Sequence, residues 1–217
     1  MLLRWKKKEK RMKYNVLIVD DQILPRQYFE SIVNSSENYK VAASIASAKV
    51  ADVYCIKNPV DLIIMDIVMA DGSNGITAAA EIKKAFPKIK ILMVTSMPDA
   101  ELITRAREAG VDSFWYKEVQ DAPMLEVMDR TMNGESVFPD KAPSVSLGLA
   151  SSIDLTAREI DVLRALACGY SNQEIADELG TSINTIRFHL GNLLSKTGFT
   201  TRTELAIAVA KSGIAVI

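Results

Sequence analysis

The chain has 217 residues, 48% of them hydrophobic, and a formal net charge of -1, enough for one or two domains with real cores. No apolar run reaches membrane-spanning length, because Asp61 and Asp66 bracket the strongest candidate, residues 62–65. The start is basic and lacks an apolar core of signal-peptide length, so export is not expected. Cys55 and Cys168 are far apart without metal-type spacing, which predicts reduced thiols in a cytoplasmic protein.

Residues 1–13 form a basic extension with seven basic groups and one acid. A solvated tail, or an upstream start codon with true translation from Met12, accounts for it with the fewest assumptions. The functional alternative is a weak contact with nucleic acid or membrane. From 14 to 134 strand-like and helix-like stretches alternate five times. The strands are 16–19, 41–45, 62–65, 91–94 and 114–116, and the helices lie near 25–35, 48–58, 76–86, 100–109 and 123–133. Strands three and four read as continuous apolar runs, as strands covered on both faces do. Pro25 and Pro123 sit in first turns, and Gly110 and Gly134 follow helix ends. The pattern predicts an α/β fold, a doubly wound (βα)5 domain.

Four of these strands end in residues suited to phosphate chemistry. The first runs into Asp20 and Asp21, the third into Asp66, the fourth into Thr95 and the fifth into Lys117. In an open parallel sheet the ligand crevice lies outside the carboxyl ends of the strands. Three carboxylates there repel one another unless a cation compensates. A hard divalent ion suits oxygen ligands, and Mg²⁺ keeps waters and pairs with phosphate oxygens. One carboxylate can then act as nucleophile and form an aspartyl-phosphate, with Lys117 neutralising a phosphoryl oxygen and Thr95 donating to another. Taken singly, a strand-end Asp is more often a cap or turn residue and a lone Lys a solvated charge. Their joint order along alternating strands decides for function.

Residues 135–152 lose periodicity and collect Pro, Ser and Gly, so they read as a linker. From 153 to 217 the pattern is all-α, with four helices near 157–168, 172–179, 183–196 and 203–211. Thr156-x-x-Glu159 and Ser171-x-x-Glu174 are capping boxes, and Gly169 and Gly180 supply stops. Two short helices joined by a tight turn at Gly180 fit a helix-turn-helix. In the third helix Ile183, Ile186, Leu190, Leu193 and Leu194 form a buried stripe, and Asn184, Arg187, Phe188 and Gly191 lie off it. No acid occurs between Glu178 and Glu204, whereas Arg187, Lys196 and Arg202 do. That segregation, rather than net charge, points to nucleic acid. Arg can read a guanine edge and an exposed Phe a thymine methyl. Phe188 is core if the helix is rotated, His189 reads as a phosphate contact or half-buried polar group, and Cys168 as core.

The strings VLIVDD, LIIMDIVM, ILMVTS and FWYK resemble the receiver domain of bacterial two-component response regulators over about 14–134. The resemblance implies Asp66 as phosphoacceptor. It implies Asp20, Asp21, Asp66 and the carbonyl of Val68 as Mg²⁺ ligands. It also implies Thr95 and Lys117 as phosphoryl-sensing residues, with Phe114 as the aromatic that repacks. Three positions depart from the pattern: Ala70 stands where Pro is usual, Gly75 lies one residue further from Asp66, and Glu118 follows Lys117. The string LTAREIDVLRALACGYSNQEIADELGTSINTIRFHLGNLLSKTG resembles the LuxR-type helix-turn-helix, and both halves together resemble a NarL/FixJ-type response regulator. By that resemblance helix 183–196 would enter the major groove. Arg187 and Phe188 would then face bases, with Asn172, Thr185, His189 and Lys196 near phosphates and Asn184 on the same face. Gly191 replaces a basic residue that some relatives use. The last helix resembles a dimer-forming helix, with Leu205, Ile207 and Val209 as its apolar contacts.

The resemblance implies phosphorylation of Asp66 by a sensor histidine kinase and regulated binding of promoter DNA. It implies RNA polymerase as a further partner and a homodimer in the phosphorylated state, with no membrane partner and no enzyme activity of its own. Activation by dimerisation and by release of the DNA-reading helix both stay open. One rival is a constitutive DNA-binding protein with an unphosphorylated receiver. A second is a phosphatase, which would need an acid or base beyond the acceptor, where Val68 stands. An oxidoreductase lacks its Gly-rich turn after the first strand.

Overall fold

The computed structural model describes residues 13–117, 123–212 and 214. Most of the basic extension and Glu118 lie outside the described residues. Five strands form one sheet in the order β2-β1-β3-β4-β5, where β1 is Tyr14–Val19, β2 Tyr39–Ile45, β3 Leu62–Asp66, β4 Lys90–Thr95 and β5 Ser113–Tyr116. β1 pairs in parallel with β2 and β3. Helices connect successive strands, as parallel neighbours require: α1 (Ile23–Ser35), α2 (Ala51–Lys57), α3 (Gly75–Ala85) and α4 (Ala100–Glu108), with α5 (Met124–Met132) after β5. The doubly wound α/β architecture is as the alternation predicts. Every residue of β3 is buried, and so are all of β4 but its first. β1, between them and the half-exposed edge strand β2, buries its last four.

The helix expected over 48–58 is interrupted. Residues Ala48–Val50 form a 3-10 turn and only Ala51–Lys57 is α-helical, because the Ser47 side chain accepts from the Lys49 N–H and fixes a tighter first turn.

The chain groups into two compact units, and the division does not follow the sequence domains. β1 to β3, α1 to α3 and α5 belong to one, while α4 joins the C-terminal helices in the other. In the first unit Asp112 anchors the start of β4. Its carboxylate accepts from Lys83 Nζ at 2.8 Å, Lys90 Nζ at 2.9 Å and the Ile91 N–H at 2.9 Å. In the second unit the Tyr116 hydroxyl donates to the Asp99 carbonyl at 3.2 Å, and Arg164 pairs with the Asp99 carboxylate at 2.9 Å.

The C-terminal helices are α6 (Ala157–Ala167), α7 (Asn172–Glu178), α8 (Ile183–Thr197) and α9 (Arg202–Ser212). Both capping boxes form. Ile186, Leu190 and Leu193 are buried, with Ile183 and Leu194 packed against the same core. The stretch expected as a linker is structured: β6 (Ser146–Leu147) and β7 (Ala150–Ser151) pair as an antiparallel hairpin, and Leu147 belongs to the helical core. The hairpin turn seats on the end of α8. Leu149 N–H donates to the Thr197 carbonyl at 2.8 Å, and a Cβ at Gly148 would meet that oxygen at 2.1 Å. One carbonyl freed by the helix terminus is thereby satisfied.

Two expectations, one of a core residue and one of a dimer face, are corrected. Cys168 is exposed, because it is the C-cap of α6 and lies past the buried stripe that ends at Leu166. Leu205 and Val209, expected on a dimer face, are fully buried in their own unit, while Ile207 is 52% exposed. Residues four apart share a helix face and the one between them points elsewhere. Among the described residues no helix is long and apolar enough to cross a membrane.

Burial pushes the Asp112 carboxyl up, but hydrogen bonds from Lys83, Lys90 and the Ile91 amide outweigh it and hold the group below the usual carboxylate range. A depressed folded-state pKa contributes stability above the unfolded value, about 4, and that stability is lost as pH falls through the folded value. Asp112→Asn is expected to cost about 2 kcal/mol at pH 7 by urea unfolding. The deficit should begin to shrink below pH ~4, where the unfolded chain protonates, and should be gone only once pH has fallen through the lower folded-state value. A deficit independent of pH would show that the charge contributes nothing.

Candidate functional site

Asp20 and Asp21 follow β1, and Asp66 ends β3 beside it. Strand adjacency brings the three carboxylates together, with ligand oxygens all within 4.8 Å of one another. Asp20 is fully buried and Asp66 is 4% exposed. Hydrogen bonds orient the pair that follows β1. Asp20 Oδ1 accepts from the Gln22 N–H at 2.9 Å, and Arg26 donates to the Asp20 carbonyl at 2.5 Å. Asp21 Oδ2 accepts from the Ala70 N–H at 2.7 Å. Its Oδ1 is buried and has no hydrogen-bond partner. A buried anionic oxygen without a partner is costly, so this donor set fits a hard cation, with only oxygens on offer.

The departures in the loop after β3 acquire a physical meaning here. Pro has no N–H to donate, so the bond that orients Asp21 could not form with the usual Pro at position 70 and forms with Ala70. The additional loop residue is absorbed by a turn closed by Gly72 N–H to the Met69 carbonyl at 3.0 Å, with Gly72 at φ +76°. Val68 bridges Asn74 across the loop, and the Gly75 N–H donates to the Ile67 carbonyl at 2.8 Å. That bond bypasses the carbonyl of Val68. Asn74 caps α3 by accepting from the Ile76 and Thr77 amides. Gly75 lies so close to β3 that a Cβ there would stand 1.9 Å from the Asp66 carbonyl oxygen.

Sequence reading missed Asp71, which fastens this loop to the one after β2. Its carboxylate accepts from Ser47 Oγ and Ser73 Oγ, each at 2.6 Å, and Lys49 donates to its carbonyl at 2.7 Å. Those hydroxyls hold the Asp71 carboxyl well below its ordinary range. An Asp-Gly-Ser turn was legible at 71–73, but its partners at 47 and 49 were not.

Thr95 ends β4 and is buried; its Oγ1 accepts from the Met97 N–H at 3.1 Å. Lys117 directly follows β5 and donates its backbone N–H to the Thr95 carbonyl at 2.9 Å. Phe114 is 2% exposed, edge-on to Tyr116 at 5.0 Å between ring centroids and 6.2 Å from Phe138.

On α8, Asn184, Arg187 and Phe188 are exposed, with Phe188 64% accessible, so the rotated, buried alternative does not hold. Arg187 donates to Asn184 Oδ1 at 3.3 Å, and His189 is half-buried, edge-on to Phe188 at 5.8 Å. Thr185 and Ser182 bond at the helix start. Two other expected contacts are engaged within the fold. Lys196 donates to Glu159 at 2.8 Å and to the Asp154 carbonyl at 3.0 Å, and Asn172 accepts from Arg202, which also donates to the Tyr170 carbonyl. Burial pushes the Glu159 carboxyl up, but Lys196 and Thr156 outweigh it and lower it. Two of the three cations in the acid-free window are therefore held within the fold, whereas Arg187 is exposed and bonds to Asn184 on its own helix.

Comparison with known proteins gives concordant matches. The model of the response regulator receiver domain matches residues 16–129, and that of bacterial regulatory proteins of the luxR family matches 154–209. The chain is similar to the response regulator protein VraR of Staphylococcus epidermidis, at 35% identity over 204 residues, covering 90% of this chain and 96% of that protein. VraR of Staphylococcus aureus is similar to the same extent, 35% over 204 residues, with 90% and 96% covered. The solved structure of RcsB from Salmonella enterica serovar Typhimurium bound to a promoter shares the fold at 20% identity and a TM-score of 0.53, with 91% and 98% covered. The chain thus belongs to the NarL/FixJ-type response regulators, two-component proteins of transcription regulation that join a receiver domain to a LuxR-type DNA-binding domain.

Proposed function

We propose that a partner histidine kinase phosphorylates Asp66, and that this controls binding of promoter DNA by α8. One observation carries the reading: three carboxylates within 4.8 Å, one of them with a buried oxygen that no protein donor serves. Asp20, Asp21 and Asp66, with the Val68 carbonyl, would hold Mg²⁺. When bound, Mg²⁺ supplies charge neutralisation for the carboxylates and for the incoming phosphoryl oxygens. The Asp66 carboxylate attacks phosphorus as the bond to the kinase's imidazole nitrogen breaks. Lys117 offers a cation and Thr95 a hydroxyl to the resulting phosphoryl group. Thr95 Oγ1 accepts from Met97, and a hydroxyl that accepts keeps its proton for donation. Phe114, packed between Tyr116 and Phe138, is the side chain that repacks, and the phosphorylated chain acts as a homodimer in the cytoplasm with RNA polymerase as a further partner.

A second reading of activation is favoured by the Arg164–Asp99 pair. Asp99 is tied through its carbonyl to Tyr116 on β5, so a shift at Phe114 and Tyr116 would loosen the hold on α6 and free the DNA-binding helices. Both readings need the same phosphorylated Asp66.

For DNA, Arg187 and Phe188 present a cation and an apolar ring on one exposed face, suited to a guanine edge and a thymine methyl. Asn184, Thr185 and His189 flank them. Asn172 and Lys196 also hold Arg202 and Glu159 within the fold, so they are positioned by those bonds while their remaining N–H groups can face phosphates.

With acetyl phosphate and Mg²⁺, intact mass should show one phosphoryl group on wild type and none on Asp66→Ala. Equal labelling of both would remove Asp66 as acceptor, and labelling of neither would favour a constitutive DNA-binding protein. Gly75→Ala must displace the end of β3, and labelling should slow by roughly 10–100-fold with circular dichroism unchanged; wild-type rates would refute the tight packing. Arg187→Ala should weaken specific DNA binding by about 1–3 kcal/mol in a titration at fixed salt, and unchanged affinity would refute the docking face.

A further inference from the structure

Gly191 sits in the interior of α8, where glycine costs a helix stability relative to alanine. Glycine in such a place normally answers a local demand: a positive φ, or a neighbour too close for a Cβ. Neither applies. Gly191 is absent from the positive-φ glycines, and a Cβ built there meets nothing within 4 Å. The residue is exposed.

Its position on the helix supplies the missing reason. With 3.6 residues per turn, successive residues lie about 100° apart, so Asn184, Arg187, Phe188 and Gly191 fall on one stripe with Gly191 near its centre line. The other three are also exposed. One turn beyond the two side chains assigned to base reading, the stripe therefore presents bare main chain. A glycine that no internal contact requires, centred on a binding face, matches the use of glycine for close approach of backbone to a ligand.

We propose that Gly191 is a specificity-determining position, the point at which the main chain of α8 lies directly against the duplex. Lacking a side chain there, the helix sits deeper in the groove, and that depth sets which base edges Arg187 and Phe188 reach. The proposal rests on the reading of α8 as the DNA-contacting helix. It adds that the depth of entry is limited at residue 191.

The full chain, treated with acetyl phosphate and Mg²⁺, is used to enrich duplexes from a randomised library. Affinity and base preference for the enriched duplex are then measured for wild type, Gly191→Ala, Gly191→Leu and Arg187→Ala, with thermal midpoints recorded without DNA. Gly191→Ala should raise the midpoint of the C-terminal unit by about 4 °C yet bind roughly tenfold more weakly, with relaxed preference at the base pairs read by Arg187 and Phe188. Gly191→Leu should bind more weakly still. Loss of binding by Arg187→Ala with wild-type affinity and preference in both Gly191 variants would overturn this proposal alone. A wild-type chain that enriches no duplex would overturn the DNA-contact reading and this one with it.

Discussion

The receiver is organised around a repulsion. Placing Asp20, Asp21 and Asp66 within 4.8 Å of one another concentrates negative charge where two of the three are almost without solvent, and such a set is stable only with compensation. Part of it comes from the main chain, through the Gln22 and Ala70 amides. The remaining demand is concentrated on Asp21 Oδ1, which no protein donor serves, and it is the feature on which the proposed cation site rests. The loop after β3 serves the same constraint. Asp71, Ser47, Ser73 and Asn74 hold its path, and the bare backbone of Gly75 lets α3 start directly against Asp66.

The C-terminal unit distributes its charges differently. Lys196 and Arg202, two of the three cations in its acid-free window, are engaged by Glu159, Asn172 and backbone carbonyls. These bonds join α6 to the end of α8 and α7 to the start of α9, and so fix the helix framework that presents the face proposed to read DNA. Arg187 is left at the surface beside Phe188. Rigid scaffolding and a small, exposed reading surface suit a module whose affinity comes from phosphate contacts and whose selectivity comes from a few base edges.

Much of the fold was legible because its signals are local. Continuous apolar runs at β3 and β4, the Thr156 and Ser171 capping boxes, and the 3–4 spacing of Ile186, Leu190 and Leu193 each depend on neighbours in sequence. The β6–β7 hairpin was not legible. Two-residue strands have no period to read, and what stabilises them is Leu147 in the helical core and the Thr197 carbonyl about fifty residues away. Cys168 and the α9 face failed for a related reason, since an apolar residue near a helix end is buried or exposed according to what packs there.

The residue types of the site, their order at strand ends and the identity of both domains were fixed by the amino-acid sequence alone, since chemistry and periodicity are carried by the chain. The tertiary structure decided how those residues are used. It joined the Ala70 amide to Asp21, left one Asp21 oxygen without a partner, drew Lys196 to Glu159 and left the centre of the α8 face bare at Gly191. Each of these depends on distance in space between residues remote in sequence, or on what surrounds a helix face, and no local pattern encodes either.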